Sequence, residues 1–208
     1  MVSPSVGAGA GGPRDDLVEE RRAAIMAAAE QLLAVHGFDA MRLRDVAQQA
    51  RVSIGLIQHY FNTRDELLFE TMRTASRRRA QQWVRLATGA ANAGEKITGL
   101  LEGAISDPHR CVIWLETCAA STRHPELRSD VQLTQQAWRE AIQAAIEEGL
   151  ATGELAPVVP TDDLVLLLIS LIDGLMLATV TEDNGDTSQA ERTRVLRETA
   201  QRLLGMPG

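Results

Sequence analysis

The stretch VSIGLIQHYFNTRDELL, residues 52–68, holds two helix starts ten positions apart, at Ser53 and Thr63. Ser53 is a good N-cap for the apolar run that follows it. Thr63 opens a second helix with Asp65 and Glu66 in its first turn, where the helix dipole favours carboxylates. Upstream, residues 43–50 read as a short helix with Leu43, Val46, Ala47 and Ala50 on one face. A short helix, a brief turn at Arg51 and Val52 and a second short helix make the helix-turn-helix pattern, whose second helix enters the DNA major groove. On that second helix Ile57 and Phe61 point to a core, while Ile54, Leu56, Gln58 and His59 lie partly on the exposed side. Gly55 lets the backbone approach another surface closely. The free N–H groups after Thr63, together with Arg64, suit a phosphate. A plain three-helix corner with a solvated polar face fits the same pattern.

The rest of the chain sets limits. Its 208 residues are 45% hydrophobic and 24% charged, enough for one or two domains with a buried core. Aromatics are 3%, while Ala and Leu abound, which favours helices over strands. The net charge of −7 argues against a generic polyanion binder, but it is uneven. Residues 1–80 carry 11 Arg against 10 Asp and Glu; residues 81–208 carry 10 Lys and Arg against 18 Asp and Glu. Only the N-terminal part can offer nucleic acid a local basic surface.

Helical periodicity continues to the end. Residues 15–36 carry Leu17, Ile25, Ala28, Ala29, Leu32, Leu33 and Val35 and stop at Gly37. Further helices are expected over 63–87, 93–105, 109–122, 125–152, 162–182 and 188–204, the seventh of the nine beginning at Pro125. Thr161 or Asp162 is expected to cap the helix at Leu164. The fold class is therefore all-α, with about nine helices in two groups. The expected domains are residues 14–62, with the helix-turn-helix, and residues 63–208, preceded by a disordered tail over 1–13. That tail lacks the basic and apolar regions of a signal peptide, so a cytoplasmic location is expected. The apolar run at 164–180 carries Asp173 and reads as a buried core helix, and no membrane partner is expected. Cys111 and Cys118, two helical turns apart, read as small buried hydrophobes. No cofactor fingerprint, metal-ligand cluster or catalytic arrangement is present, so no cofactor, metal or catalytic residue is expected.

Residues 37–68, GFDAMRLRDVAQQARVSIGLIQHYFNTRDELL, resemble the DNA-binding domain of the TetR family of transcriptional regulators. The resemblance rests on Gly37-Phe38, Arg44-Asp45-Val46-Ala47, Val52-Ser53, Gly55, His59-Tyr60-Phe61 and Arg64 to Leu68. LIDGL, residues 171–175, looks like a motif of the family's penultimate helix. Gln58 and HPELR, residues 124–128, resemble the betaine-regulator branch. The resemblance implies an operator-binding homodimer, most often a repressor, released by a small-molecule effector. It implies that Ser53, Ile54 and Leu56 read bases, with Gln58 and His59 beside them, and that Tyr60, Thr63 and Arg64 meet phosphate. Arg42 and Arg44 lie on the supporting helix near the DNA backbone; Met41-Arg42 stands where many members have Thr.

In the second half the resemblance implies the effector site and the dimer. The helix at 162–182 is apolar nearly all round, so one side can pack on its own domain and the other on a partner. Leu167, Leu171 and Gly174 are placed at that interface. Arg192, Val195, Leu196 and Leu203 of the last helix are placed there too, with the arginines as a polar rim. The pocket is expected among Trp83, Trp114, Trp138 and Met176, with Cys111, Glu116, Cys118 and Asp173 nearby. Its ligand is expected to be small and largely apolar, although tryptophan faces beside a carboxylate also suit a cation. The same residues read as plain core tryptophans and a glutamate on a solvated face. An enzyme and a helical interaction module without DNA binding remain as readings from other classes.

Overall fold

The computed structural model describes residues 13–181 and 188–206. Among them are nine α-helices and no strand: α1 (Pro13–Ala40), α2 (Leu43–Ala50), α3 (Ile54–Phe61), α4 (Arg64–Gly89), α5 (Ala93–Ile105), α6 (Pro108–Arg123), α7 (Arg128–Thr152), α8 (Thr161–Thr181) and α9 (Gln189–Leu204). The tail expected over residues 1–13 lies outside the described residues but for Pro13. The chain divides into two compact units between Thr71 and Met72, within α4.

The first unit is built on one face of α1. Ile25, Ala29 and Leu33, spaced by four, are fully buried against Val46 and Ala47 of α2, Ile57 and Phe61 of α3, and Leu67 and Leu68 of α4. The Arg22 guanidinium lies 5.3 Å from the centre of the Phe61 ring and pairs with Glu70. Gly37 breaks α1 where the sequence stops it, with φ 73° and ψ 173°, a region open to glycine. The turn between α2 and α3 is closed by Arg51 in the left-handed conformation, φ 57°, whose N–H bonds back to the carbonyls of Ala47 and Gln48. Ser53 then caps α3, its hydroxyl accepting from the Leu56 N–H at 3.1 Å. Thr63 caps α4, accepting from the Glu66 N–H at 3.1 Å.

The second unit packs α5 through α9 and the later part of α4 around one core. Ile97, Leu100 and Leu101 of α5 meet Ile142 and Ile146 of α7, Leu164, Leu168 and Ile172 of α8, and Leu196, Ala200 and Leu204 of α9. Side-chain caps at Asn92, Asp107 and Ser188 start α5, α6 and α9. Pro125 opens a 3-10 turn, Pro125–Leu127, and α7 begins only at Arg128. The cap expected at Thr161 or Asp162 is corrected: α8 begins at Thr161, so both residues lie inside its first turn. By length and composition α8 could cross a membrane, but Leu164, Val165, Leu168, Ile172 and Met176 on one face are buried in this core. The segment after α7 is tied to the end of α9 by main-chain bonds. Ala156 N–H donates to Leu204 O at 3.0 Å, and Val158 N–H to Leu203 O at 3.2 Å.

Candidate nucleic-acid interface and effector cleft

Helix α3 has a sharp division of faces. Ile57 and Phe61 are buried, while Ser53, Ile54, Gly55, Gln58 and His59 are exposed. Leu56 and Tyr60 are half-buried, and the Tyr60 ring stands edge-on to His59 at 5.5 Å. Ile54 is 43% exposed although apolar, at the first turn of the helix. A Cβ built on Gly55 would meet only the Ser53 hydroxyl, at 3.9 Å, so the backbone there is open to an approaching surface. Arg42 holds the N-cap position of α2 without a side-chain cap bond, and both Arg42 and Arg44 are exposed. Arg44 stays outside the core, paired with Asp45 at 3.4 Å.

Arg64 departs from the expected phosphate clamp. Its Nε donates to the Met41 carbonyl at 2.7 Å, its Nη2 to the Phe38 carbonyl, and its Nη1 to Asp65 Oδ1 at 2.6 Å. The guanidinium also lies 5.0 Å from the centre of the Phe38 ring. Nε and Nη2 thus tie the start of α4 to Phe38 of α1 and to Met41 just beyond it, while Nη1 is held by the neighbouring Asp65. Arg64→Ala is accordingly expected to lower stability by about 1.5–3 kcal/mol, the range for hydrogen bonds to a charged group. Thermal unfolding of wild type and variant with and without DNA checks this: a loss confined to the DNA-bound protein would restore the clamp.

In the second unit a cleft of about 290 Å³ opens between α6, α7 and α8, lined by Trp114, Gln132, Gln135, Gln136, Trp138, Arg139, Ile169 and Asp173. Three expected pocket residues, Trp114, Trp138 and Asp173, are brought together there. Trp83, Cys111 and Met176 are not: they are fully buried core, Trp83 stacked on Trp138 with centres 5.5 Å apart. Glu116 and Cys118 are half-buried and do not line the cleft. The lining is mixed, with Trp114, Trp138 and Ile169 as its apolar part and three glutamines, Arg139 and Asp173 as its polar part. Residues 132, 135, 136 and 139 fall on one face of α7 by helical spacing, a polar stripe legible in the sequence but not singled out.

The sequence reading also missed Arg79. It hides in the run Arg77-Arg78-Arg79, yet it is only 9% exposed. Met72, Ser76, Arg79 and Trp83 share the helix face that packs inward, so the period carrying Trp83 would have found it. Its guanidinium lies 5.2 Å from the Trp83 ring centre and 5.5 Å from that of Trp114. The tryptophan faces expected for a cationic ligand therefore already hold a cation. Burial lowers the Arg79 pKa, and it raises those of Asp173 and Cys111. The Cys118 thiol is pushed up to about 12 by burial and by Asp173.

The expected dimer residues separate into two sets. Leu167, Gly174 and Val195 are exposed, and Leu171 is half-buried. Leu196 and Arg192 are corrected: both point inward, Leu196 fully enclosed by its own unit, because 192, 196, 200 and 204 form the inward row of α9. Leu203 packs on the same core from its edge. A Cβ on Gly174 would meet nothing within 4 Å, so this glycine serves no packing within its own unit.

Residues 25–71 match the model of bacterial regulatory proteins of the tetR family, and residues 90–205 match the C-terminal domain of BetI-type transcriptional repressors. The chain is 25% identical over 172 residues to the HTH-type transcriptional regulator BetI of Agrobacterium fabrum, spanning 79% of each chain. It is 35% identical over 81 residues to HbdR of Aromatoleum sp., which is 39% of this chain and only 35% of that one. A TetR-family regulator from Rhodococcus sp. shares the fold at TM-score 0.74 and 26% identity, covering 89% of this chain and 99% of the other. A transcriptional regulator from Saccharomonospora viridis, solved with choline, shares it at TM-score 0.80 and 24% identity, covering 88% and 96%. The two-helix reading head and the two family matches thus agree: the chain belongs to the TetR family, a DNA-binding transcriptional regulator rather than an enzyme, with a BetI-type C-terminal domain.

Proposed function

We propose that the chain is a ligand-responsive repressor that binds a two-fold symmetric operator as a cytoplasmic homodimer and is released by a small molecule in the second unit. The observation that carries the reading is the two-faced α3, with Ile57 and Phe61 buried and Ser53, Ile54, Gln58 and His59 turned outward. A second helix of a helix-turn-helix with such a face suits the major groove. The expected domain division, with residues 14–62 reading DNA and 63–208 binding effector and partner, belongs to this proposal. Two identical heads on a two-fold dimer match a near-palindrome.

The cleft beside Trp114 and Trp138 is the proposed effector site. Its mixed lining suits a small molecule with an apolar body and a polar group. A ligand there releases DNA only by binding the DNA-free conformation better. A hundred-fold weakening of the operator requires about 2.7 kcal/mol of such coupling.

The test is binding to duplexes from the intergenic DNA beside the chain's own gene, followed by fluorescence anisotropy. Six to ten phosphate contacts predict a loss of roughly 10³ to 10⁵ in affinity between 50 and 200 mM salt. Binding without salt dependence, or none to any such duplex, would sink the proposal.

A further inference from the structure

The second unit buries a set of hydrogen-bond donors with no acid opposite them. Both hydrogen bonds of the enclosed Arg79 leave Nη2: one to the Ala104 carbonyl at 3.4 Å, one to Met176 Sδ at 3.1 Å. Neither acceptor carries charge, and the first bond is long. Among the described residues no carboxylate lies within ion-pair distance of Arg79; Asp173 acts on it only through space. The indole N–H groups of Trp83 and Trp138, stacked on each other, are also buried and lack an acceptor. Buried donors are nearly always satisfied, and a buried cation without a counter-ion is costly, so Arg79 beside two unmet indole donors needs a reason.

The cleft offers one. Trp114 and Trp138 belong both to the cluster and to the cleft wall, so the donors lie one side chain inward from an opening. Arg139 places a cation in that wall itself. We infer that the effector is an anion, a carboxylate-bearing small molecule whose acid group lies at the Trp114 and Trp138 wall, one side chain out from Arg79. The inference rests on the ligand-responsive reading above and names the class of its ligand. An acid there meets the cation that the fold leaves unmatched; an ammonium group meets two arginines. Asp173 also lines the cleft, and burial raises its pKa above the usual carboxylate value.

The experiment uses the full chain and its tryptophan emission, since all three tryptophans lie in this unit. It compares hexanoate, hexanamide and hexylammonium, which differ in one terminal group, at up to millimolar concentration. Hexanoate is expected to half-saturate the emission change at about a ten-fold lower concentration than hexanamide, the factor given by 1.4 kcal/mol of charge pairing. Arg79→Gln should reduce that advantage below about two-fold, and Arg79→Lys should keep most of it, since both retain or lose charge accordingly. The inference is overturned if hexanoate leaves the emission unchanged, if the amide or the ammonium compound matches it, or if Arg79→Gln keeps the preference for acid. The wild-type comparison stands even where a variant fails to fold. Operator binding without any small molecule is measured beside it. If the operator binds while hexylammonium outperforms hexanoate, the regulator reading survives and the acid inference falls.

Discussion

Leu167→Glu combined with Leu177→Glu is expected to turn a dimer into folded monomers. The two leucines are 45% and 52% exposed, and with Leu166 and the open Gly174 they make an apolar stripe on the outward face of α8. Leucines repeating at helical spacing on an outward face ask for a partner surface. A second copy of the same stripe is self-complementary across a two-fold axis. Each half-exposed leucine gives roughly 1–1.5 kcal/mol on burial, and four are lost from the pair of subunits. The dissociation constant should then rise on the order of a thousand-fold or more. Sedimentation of the purified variant checks it, with helical circular dichroism unchanged because both side chains lie outside the protomer core. Persistence of the dimer would move the interface to another face. Leu196→Glu is the contrasting variant: its side chain is enclosed by its own unit, so it should unfold the protomer.

Gly205→Ala should destabilise the second unit more than any other alanine substitution at a glycine here. Gly205 ends α9 at φ 62°, and a Cβ there would stand 2.0 Å from the Ala156 carbonyl oxygen, a main-chain atom held by the Ala156–Leu204 bond. Left-handed strain adds to a clash that no rotamer relieves. The expected loss is about 4 kcal/mol, in the range reserved for such special positions, or roughly 10 °C in Tm. Gly99→Ala should go the other way. Gly99 lies inside α5 with nothing within 4 Å of a built Cβ, so alanine should stabilise by up to about 1 kcal/mol. Calorimetry of the two variants side by side decides: equal shifts would mean that the α9 end is not packed as described.

These cases mark where sequence stops informing. Ser53, Thr63 and Gly37 act within a few residues of themselves, so the helix-turn-helix and most helix ends were legible. Arg64 misled because its acceptors, the carbonyls of Phe38 and Met41, come from another helix end 26 and 23 residues away. Arg79 was passed over because a run of three arginines reads as solvated, while the helical period sets one of them inward beside Trp83. On α9 the arginines interleave with apolar residues on both sides. Which row faces inward is decided by α5 and α8, not by α9 itself. The cleft proposed for the effector was half legible: tryptophans mark apolar surroundings, but nothing local tells Trp83, stacked inside, from Trp114 and Trp138 at the opening.

The central claim is that the outward face of α3 reads DNA sequence. Selection of bound duplexes from a randomised pool tests it most directly. The wild-type protein should enrich a two-fold symmetric consensus with half-sites about one helical turn apart. Gln58→Ala and Ile54→Ala should each change the preferred bases at matching positions of the two half-sites. Arg44→Ala should weaken binding to every sequence and leave the consensus alone. A consensus without symmetry, or one that neither α3 substitution alters, would contradict the account.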